Sequence, residues 1–350
     1  MHLQLQPRPI NRKSHFQTSR NSVVLRYTSQ RSKGIDSMSL HIFGAIVTHH
    51  GTAANNRAEN EGNITTLQKL LWQGRVHSSV SAEAIRFALR RRLGEIETTN
   101  RYWNEEGSKG VNEWHDEKFA KWAANEGYID DDLLGFMSAE AAKSEGSESE
   151  PDAKEGKAKK AKGTATIRRS PLEITRAISL VPYAGDVTFN AASPGATPSA
   201  SKGDKSAKNP VPYGTELHAT RYQYGFALTP ESLQRKERAA VALKCLGALG
   251  EVAGNHGRFL FDFSPESAIF RVTDDPAPRL LYIFENSGGQ ADVDAPKLIT
   301  RMKSGDLPAN EIIICGGFAE SETARQAAEL GATVIPGVRR GVDEVARRIH

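Results

Sequence analysis

The sequence predicts an α+β fold, and three observations carry that expectation. Short β-prone runs alternate with helical stretches, interrupted by insertions, along most of the chain. Hydrophobic residues make up only 38% of the 350 residues, so polar insertions are expected around a core that the length can still support. Two strand-like arms flank a polar, lysine-bearing tip, which describes a long projecting hairpin.

The elements follow in order. Residues 1–37 hold seven Lys/Arg and one acid, Asp36. They read as a non-structural basic leader, because Met38 directly precedes the first strand-like run, Ser39–Val47. A functional basic arm is the alternative. A polar loop, HHGTAANNRAENEGN (49–63), and a short apolar segment, Leu67–Trp72, lead to VHSSVSAEAIRFALRRRL. The second half of that stretch is an amphipathic helix: Ile85, Ala88, Leu89 and Leu93 form an apolar stripe, and Ser79 or Ser81 suits its N-cap. Residues 95–142 carry Trp103, Trp114 and Trp122 and read as a helical insertion, and 143–163 is a lysine-tailed, low-complexity stretch expected to be disordered.

Beyond it, Pro171–Val181 reads as strand. Asp186–Phe189 and Glu216–Leu228 are the arms of the hairpin around the flexible tip 191–212. Thr229 caps a strong helix over Pro230–Gly250. Strands are expected at Arg258–Phe263, Ala268–Thr273, Leu280–Glu285, Ile312–Cys315 and Thr333–Ile335, with helices near 295–304, 321–330 and 342–349. No repeat is visible. No apolar run approaches the roughly 20 residues of a membrane span, and two cysteines, Cys245 and Cys315, fit a reducing cytoplasm better than a disulfide framework.

The net charge of +4 conceals its distribution: residues 1–37 contribute +6, 38–93 contribute +4 and 94–163 contribute −7. Basicity is therefore local, which is what a nucleic-acid groove requires. Arg86 and Arg90 lie one turn apart off the apolar stripe, and free N–H groups at the helix start favour an anion. The loop offers His49, His50, Asn55, Asn56, Arg57 and Asn63 as donors to phosphate and ribose oxygens. A merely solvated loop is the competing reading. The adjacent histidines lack a third ligand of metal-binding spacing, so no metal is expected. Arg168, Arg169, Arg221 and Gln223 add cations and an amide to the later strands. The turn GNHGR brings Asn255, His256 and Arg258 near a ligand unless it simply joins helix to strand. No G-x-S-x-G, Walker or H-E-x-x-H pattern is present, and the lone GG of 316–317 is too little for a Rossmann fingerprint. No cofactor and no catalytic residue are expected.

Taken in order, the loop HHGTAANNRAENEGN, the helix VSAEAIRFALRRRL, RRSPLEITRAISLVPYAGDVTF, TELHATRYQYGFALTPESL and GNHGRFLFDFSPESAIFRVTDD resemble the DevR-like family of CRISPR-associated proteins. The resemblance runs over 39–285, interrupted at 95–163. It implies an RNA-recognition-motif-like (ferredoxin-like) palm over 38–94 and 164–350, with a thumb hairpin at 183–226. It implies that the chain is the repeated backbone subunit of a type I CRISPR interference (Cascade) complex. In that scheme it binds CRISPR RNA without regard to sequence and stacks head to tail with its own copies. It also meets other Cascade subunits and presents the guide to a target DNA strand, with no nuclease role. Related backbone subunits that cleave RNA use a loop aspartate, and 48–63 contains none. Two alternatives stay open: an RNA-processing endonuclease using His49 or His50, and a small-molecule enzyme built on the strand–helix–strand of 311–340.

Overall fold

The computed structural model describes residues 39–54, 60–62, 64–104, 111–139, 165–191, 212–253, 260–287 and 293–349. The leader 1–37, the stretch 143–163, Asn55, Asn56, Arg57, Asn63 and the GNHGR turn with Asn255, His256 and Arg258 lie outside the described residues.

In chain order, β1 (His41–Thr48) is followed by the short strands β2 (Gly51–Ala53), β3 (Asn60–Glu61) and β4 (Ile64–Thr65). Next come the hairpin β5 (Lys69–Trp72) and β6 (Arg75–Val80), and helix α1 (Ala82–Gly94). The insertion holds β7 (Arg101–Asn104), β8 (Val111–Trp114), α2 (Ala120–Ala123), α3 (Ile129–Leu134) and β9 (Phe136–Ala139). Then follow β10 (Ala165–Arg168), β11 (Leu172–Ile174), β12 (Ala177–Ser179), β13 (Asp186–Ala191), β14 (Pro212–Thr220) and β15 (Tyr222–Leu228). Helix α4 (Arg238–Leu246) leads to β16 (Pro265–Thr273) and the short pair β17 (Glu285–Asn286) and β18 (Val293–Asp294). The chain closes with α5 (Pro296–Lys303), β19 (Ile312–Gly316), α6 (Glu322–Glu329), β20 (Thr333–Ile335) and α7 (Val338–Ile349).

The fold is mixed α+β. Its main sheet has nine strands in the order β20-β19-β16-β1-β15-β12-β6-β5, with β11 beside β15. Every ladder around β1 and β15 is antiparallel, whereas β19 and β20 pair in parallel. Alternation decides what each face buries. Ile42 and Ile46 of β1 join Tyr224 and Phe226 of β15, Val80 of β6 and residues of α1, α4 and α7 in one core. Ala45 and Val47 point the other way, into a second core made with Leu280, Ile283, Leu298 and Ile314. The stripe expected on α1 is buried as read: Ile85, Leu89 and Leu93 are fully covered and Ala88 nearly so.

Four expectations need correction. The run 216–228 is two strands in two sheets: β14 pairs with β13, β2 and β4 in a five-stranded sheet, and β15 enters the main sheet. The flanks of the asparagine loop and the β13–β14 ladder therefore share one sheet, which no local signal announces. The insertion is not purely helical, because Tyr102, Trp103 and Trp114 favour the β7–β8 hairpin. The helix expected over 230–250 is interrupted: a single 3-10 turn covers Pro230–Ser232 and α4 begins at Arg238. Residues 260–263 and 280–284 form no strand; Leu260, Arg279 and Tyr282 have positive φ, which breaks a ladder.

Candidate nucleic-acid interface

The sheet face opposite α1 and α4 is covered near β1 and β16 but open towards β5. Residues 280–284 end the cover: Leu281 packs on Gly225, where a Cβ would lie 2.5 Å from its Cδ2, and Tyr282 reaches the open part. Register puts Trp72 opposite Arg75, and alternation puts Gln68, Trp72, Arg75 and Ser79 on this face. The rings of Trp72 and Tyr282 meet with centroids 4.9 Å apart. Tyr282 donates its hydroxyl to the Arg176 carbonyl at 2.8 Å, and Arg176 extends over Ser79 Oγ at 3.2 Å and Gln68 Oε1 at 3.5 Å. Arg75 and Arg176 are exposed, and among the described residues neither is ion-paired. Aromatic rings beside cations that lack a carboxylate are the chemistry of a single-stranded nucleic-acid surface.

The end of β1 borders this face. Thr48 Oγ1 accepts the Tyr222 N–H at 3.0 Å and so fixes the start of β15. His49 and His50 are exposed just beyond. Arg221, buried, donates to both carboxylate oxygens of Glu266 through Nε at 2.6 Å and Nη2 at 3.0 Å. Partial burial and the Arg221 charge hold the His50 imidazole below its ordinary pKa, against an opposing pull from Glu266. His50 opens on a cavity of about 290 Å³ that is also lined by His218, Thr220 and Arg221. Burial pushes His218 down to about 4, so its ring is neutral, with Ser78 Oγ 2.6 Å from Nδ1. The five-stranded sheet is tied to this region by Glu216, which accepts from Leu67 N–H and Lys69 Nζ, both at 2.6 Å. Lys69 also sits 4.9 Å from the Tyr183 ring.

The residues expected from sequence have divided roles. Ser81 is the N-cap of α1, accepting from Ala84 N–H at 3.2 Å, which takes up one of the amides expected to meet an anion. Ser79 lies on the open face. Gln223 is buried and donates to the Phe284 carbonyl at 3.0 Å. Arg169 is exposed and pairs with Glu173 at 2.7 Å. The arginine helix is the main correction. Arg86 turns inward and donates to Leu134 O, Leu172 O at 3.4 Å and Ser170 Oγ at 3.2 Å. Arg90 donates to Asp130 at 3.1 Å. Arg168 spans Asp132 at 3.4 Å and the Ser232 carbonyl, with the Trp122 ring 4.6 Å away. The insertion packs against that side of α1, so these cations clamp the fold.

Trp72, Arg75, Arg176, Tyr282 and His218 were not singled out from sequence. One signal existed: Gln73-Gly74, with both φ values positive, is a two-residue hairpin turn that sets Trp72 against Arg75. Arg176 and Tyr282 reach them only through the tertiary fold.

The chain is similar to known proteins over most of its length. The profile of the family described as CRISPR-associated negative auto-regulator DevR/Csa2 matches residues 45–287. A CRISPR-associated protein Cas7/Cst2/DevR of Myxococcus xanthus (strain DK1622) is 54% identical over 317 residues, which cover 89% of this chain and 99% of that protein. Among solved structures, a chain of a CRISPR RNA-guided surveillance complex, pre-nicking, superposes with a TM-score of 0.50 at 10% identity, covering 89% of this chain and all (100%) of that one. A chain of another CRISPR RNA-guided surveillance complex gives a TM-score of 0.49 at 13% identity, with 89% and 100% covered. No described helix is long and apolar enough to cross a membrane.

Proposed function

The chain belongs to the DevR/Csa2 family of CRISPR-associated proteins, and on that premise we propose that it binds guide RNA as the repeated backbone subunit of a Cascade-type complex. The carrying observation is the open sheet face with the Trp72–Tyr282 pair and the cations Arg75 and Arg176, neither ion-paired among the described residues. Stacking on aromatic faces and point contacts to phosphates do not depend on base identity, so the sequence is left to base pairing with a target DNA strand.

Strand order supports an RNA-recognition-motif-like palm. β1, α1, the β11–β12 strand, β15, α4 and β16 run as β-α-β-β-α-β, and in the sheet their order is β16, β1, β15, then β11 or β12, with antiparallel neighbours. That is the arrangement of a ferredoxin-like fold, with both helices on one face and RNA on the other. The β13–β14 ladder is the thumb. It projects from the same sheet that holds the flanks of the asparagine loop, a placement that suits crossing the RNA towards a neighbouring copy.

The role is binding without cleavage, in the cytoplasm, alongside other Cascade subunits. Binding of labelled guide RNA at several salt concentrations tests it. The double variant Arg75→Ala/Arg176→Ala should weaken all RNA sequences alike and flatten the dependence of log K on log salt by about 0.7 per lost contact. An unchanged slope in the folded variant would sink the sheet-face assignment. Cleavage of that RNA by the wild-type protein but not by His50→Ala would instead select the endonuclease reading.

A further inference from the structure

On the outer side of α1, away from the sheet, a groove runs beneath the β7–β8 hairpin. It consists of two adjoining cavities of about 710 and 570 Å³ that share Phe87, Arg90, Arg91, Arg101, Trp103 and Asn112. Each wall follows from periodicity. Positions 87, 90 and 91 fall on one stripe of the helix, and register puts Trp103 against Asn112, with Arg101 on the same hairpin face.

Among the described residues, the shared middle of the groove contains no carboxylate. Glu83 and Glu251 lie at one end and Glu95 at the other, where it pairs with Arg92. Arg91 is 60% exposed and only 3.9 Å from Glu251, a loose surface pair. Arg90 is committed to Asp130 below the groove floor. Arg101 lies 5.6 Å from the Trp114 ring, and its Nε is buried without a hydrogen-bond partner. Burial and the neighbouring Arg90 charge hold Arg101 below its ordinary pKa, only partly offset by Asp130, so an added anion relieves it. Trp103 is 41% exposed although the Phe87 ring stands nearly perpendicular to it at 6.2 Å. The base of the hairpin is tied to α3 and to the residues after β8 by hydrogen bonds. Asn100 donates to Asp116 O at 3.0 Å and Asp131 at 2.9 Å, and Asp116 N–H returns to Asn100 Oδ1 at 2.7 Å.

We propose that this groove is a second single-stranded polynucleotide site, seating one nucleotide with its base on Trp103 and its phosphate on Arg91 and Arg101. An exposed indole accepts any base, the two guanidiniums supply the anion contacts, and Asn112 offers an amide to a base edge. The 570 Å³ cavity also reaches Gln68, whose Oε1 lies 3.5 Å from Arg176, so one end of the groove approaches the sheet-face cations while Trp103, Arg91 and Arg101 lie over α1. The residues proposed to hold the nucleotide here, Trp103, Arg91 and Arg101, are distinct from those of the sheet face.

The test uses the full chain carrying Arg75→Ala/Arg176→Ala, so that residual binding reports the groove. Fluorescence anisotropy follows labelled oligouridylate and oligothymidylate of about ten nucleotides, with free UMP and uridine as competitors. Trp103→Ala and Arg91→Ala should each lower affinity about fivefold or more, and Trp103→Phe should retain it within about twofold. Ultraviolet crosslinks should map to residues 101–115. If Trp103→Ala melts early, Arg91→Ala decides alone, because that side chain is exposed. UMP displacing the strand where uridine does not supports the phosphate contacts, and a strand no tighter than UMP identifies a free nucleotide as the occupant. Unchanged affinity in both variants, crosslinks confined elsewhere, or equal binding of duplex RNA would overturn the proposal.

Discussion

Replacing Asp131 with Asn should stabilise the protein at pH 8 and not at pH 4. Asp131 lies on α3, 2% exposed, and accepts a hydrogen bond from Asn100 Nδ2 at 2.9 Å. Its neighbour Asp130 takes the stronger partners: Asn100 N–H at 2.6 Å, Arg101 N–H at 3.1 Å and Arg90 at 3.1 Å. Burial first, then the Asp130 charge, push Asp131 up from 3.8 to about 7, with Asp116 adding and Asn100 and Arg90 opposing. The folded state thus holds this proton more tightly than the unfolded chain does. No penalty exists below the unfolded value; it accumulates as pH rises from about 4 to about 7 and then stays constant. Every tenfold gain in proton affinity on folding corresponds to about 1.4 kcal/mol, so ionised Asp131 costs on the order of 2–4 kcal/mol at pH 8. Asn keeps an acceptor for Asn100 and cannot ionise. Thermal melts of both proteins between pH 4 and pH 8 should diverge with rising pH, by several degrees at the upper end. Parallel melting curves across that range would refute the argument, because they would mean that Asp131 carries no unusual proton.

Two further outcomes follow from the same contacts. Arg86→Ala should lower stability by about 1–3 kcal/mol in urea unfolding, because it strips donors from the Leu134 and Leu172 carbonyls, and should leave the salt slope of RNA binding unchanged. A flattened slope in a fully stable variant would return Arg86 to the phosphate contacts. Joining Ala191 to Pro212 through a tight turn in place of 192–211 keeps the ladder that pairs Asp186 with Leu217. Melting and binding of short RNA should stay close to wild type while ordered multi-copy assembly on long RNA, seen by electron microscopy, is lost; normal filaments would return the hairpin to an ordinary surface loop.

Local periodicity made much of this molecule readable in advance. Its α+β character, the first strand, the buried stripe of α1 and the ordered motifs behind the family resemblance all depend on neighbours within a few residues. Only the tertiary structure decided which face of each element meets solvent. Arg86 and Arg90 look like an open cationic surface in sequence, because a helical wheel identifies what is off the core stripe and not what covers it, and Arg168 on β10 is equally silent about its cover. The insertion covers them, and their guanidiniums become clamps. The open sheet face was illegible for the converse reason. Trp72 and Tyr282 are 210 positions apart, and Arg176 comes from the link between β11 and β12. Chain reversals that bring such residues together are set by the summed packing of two cores, and no short window of sequence contains that information.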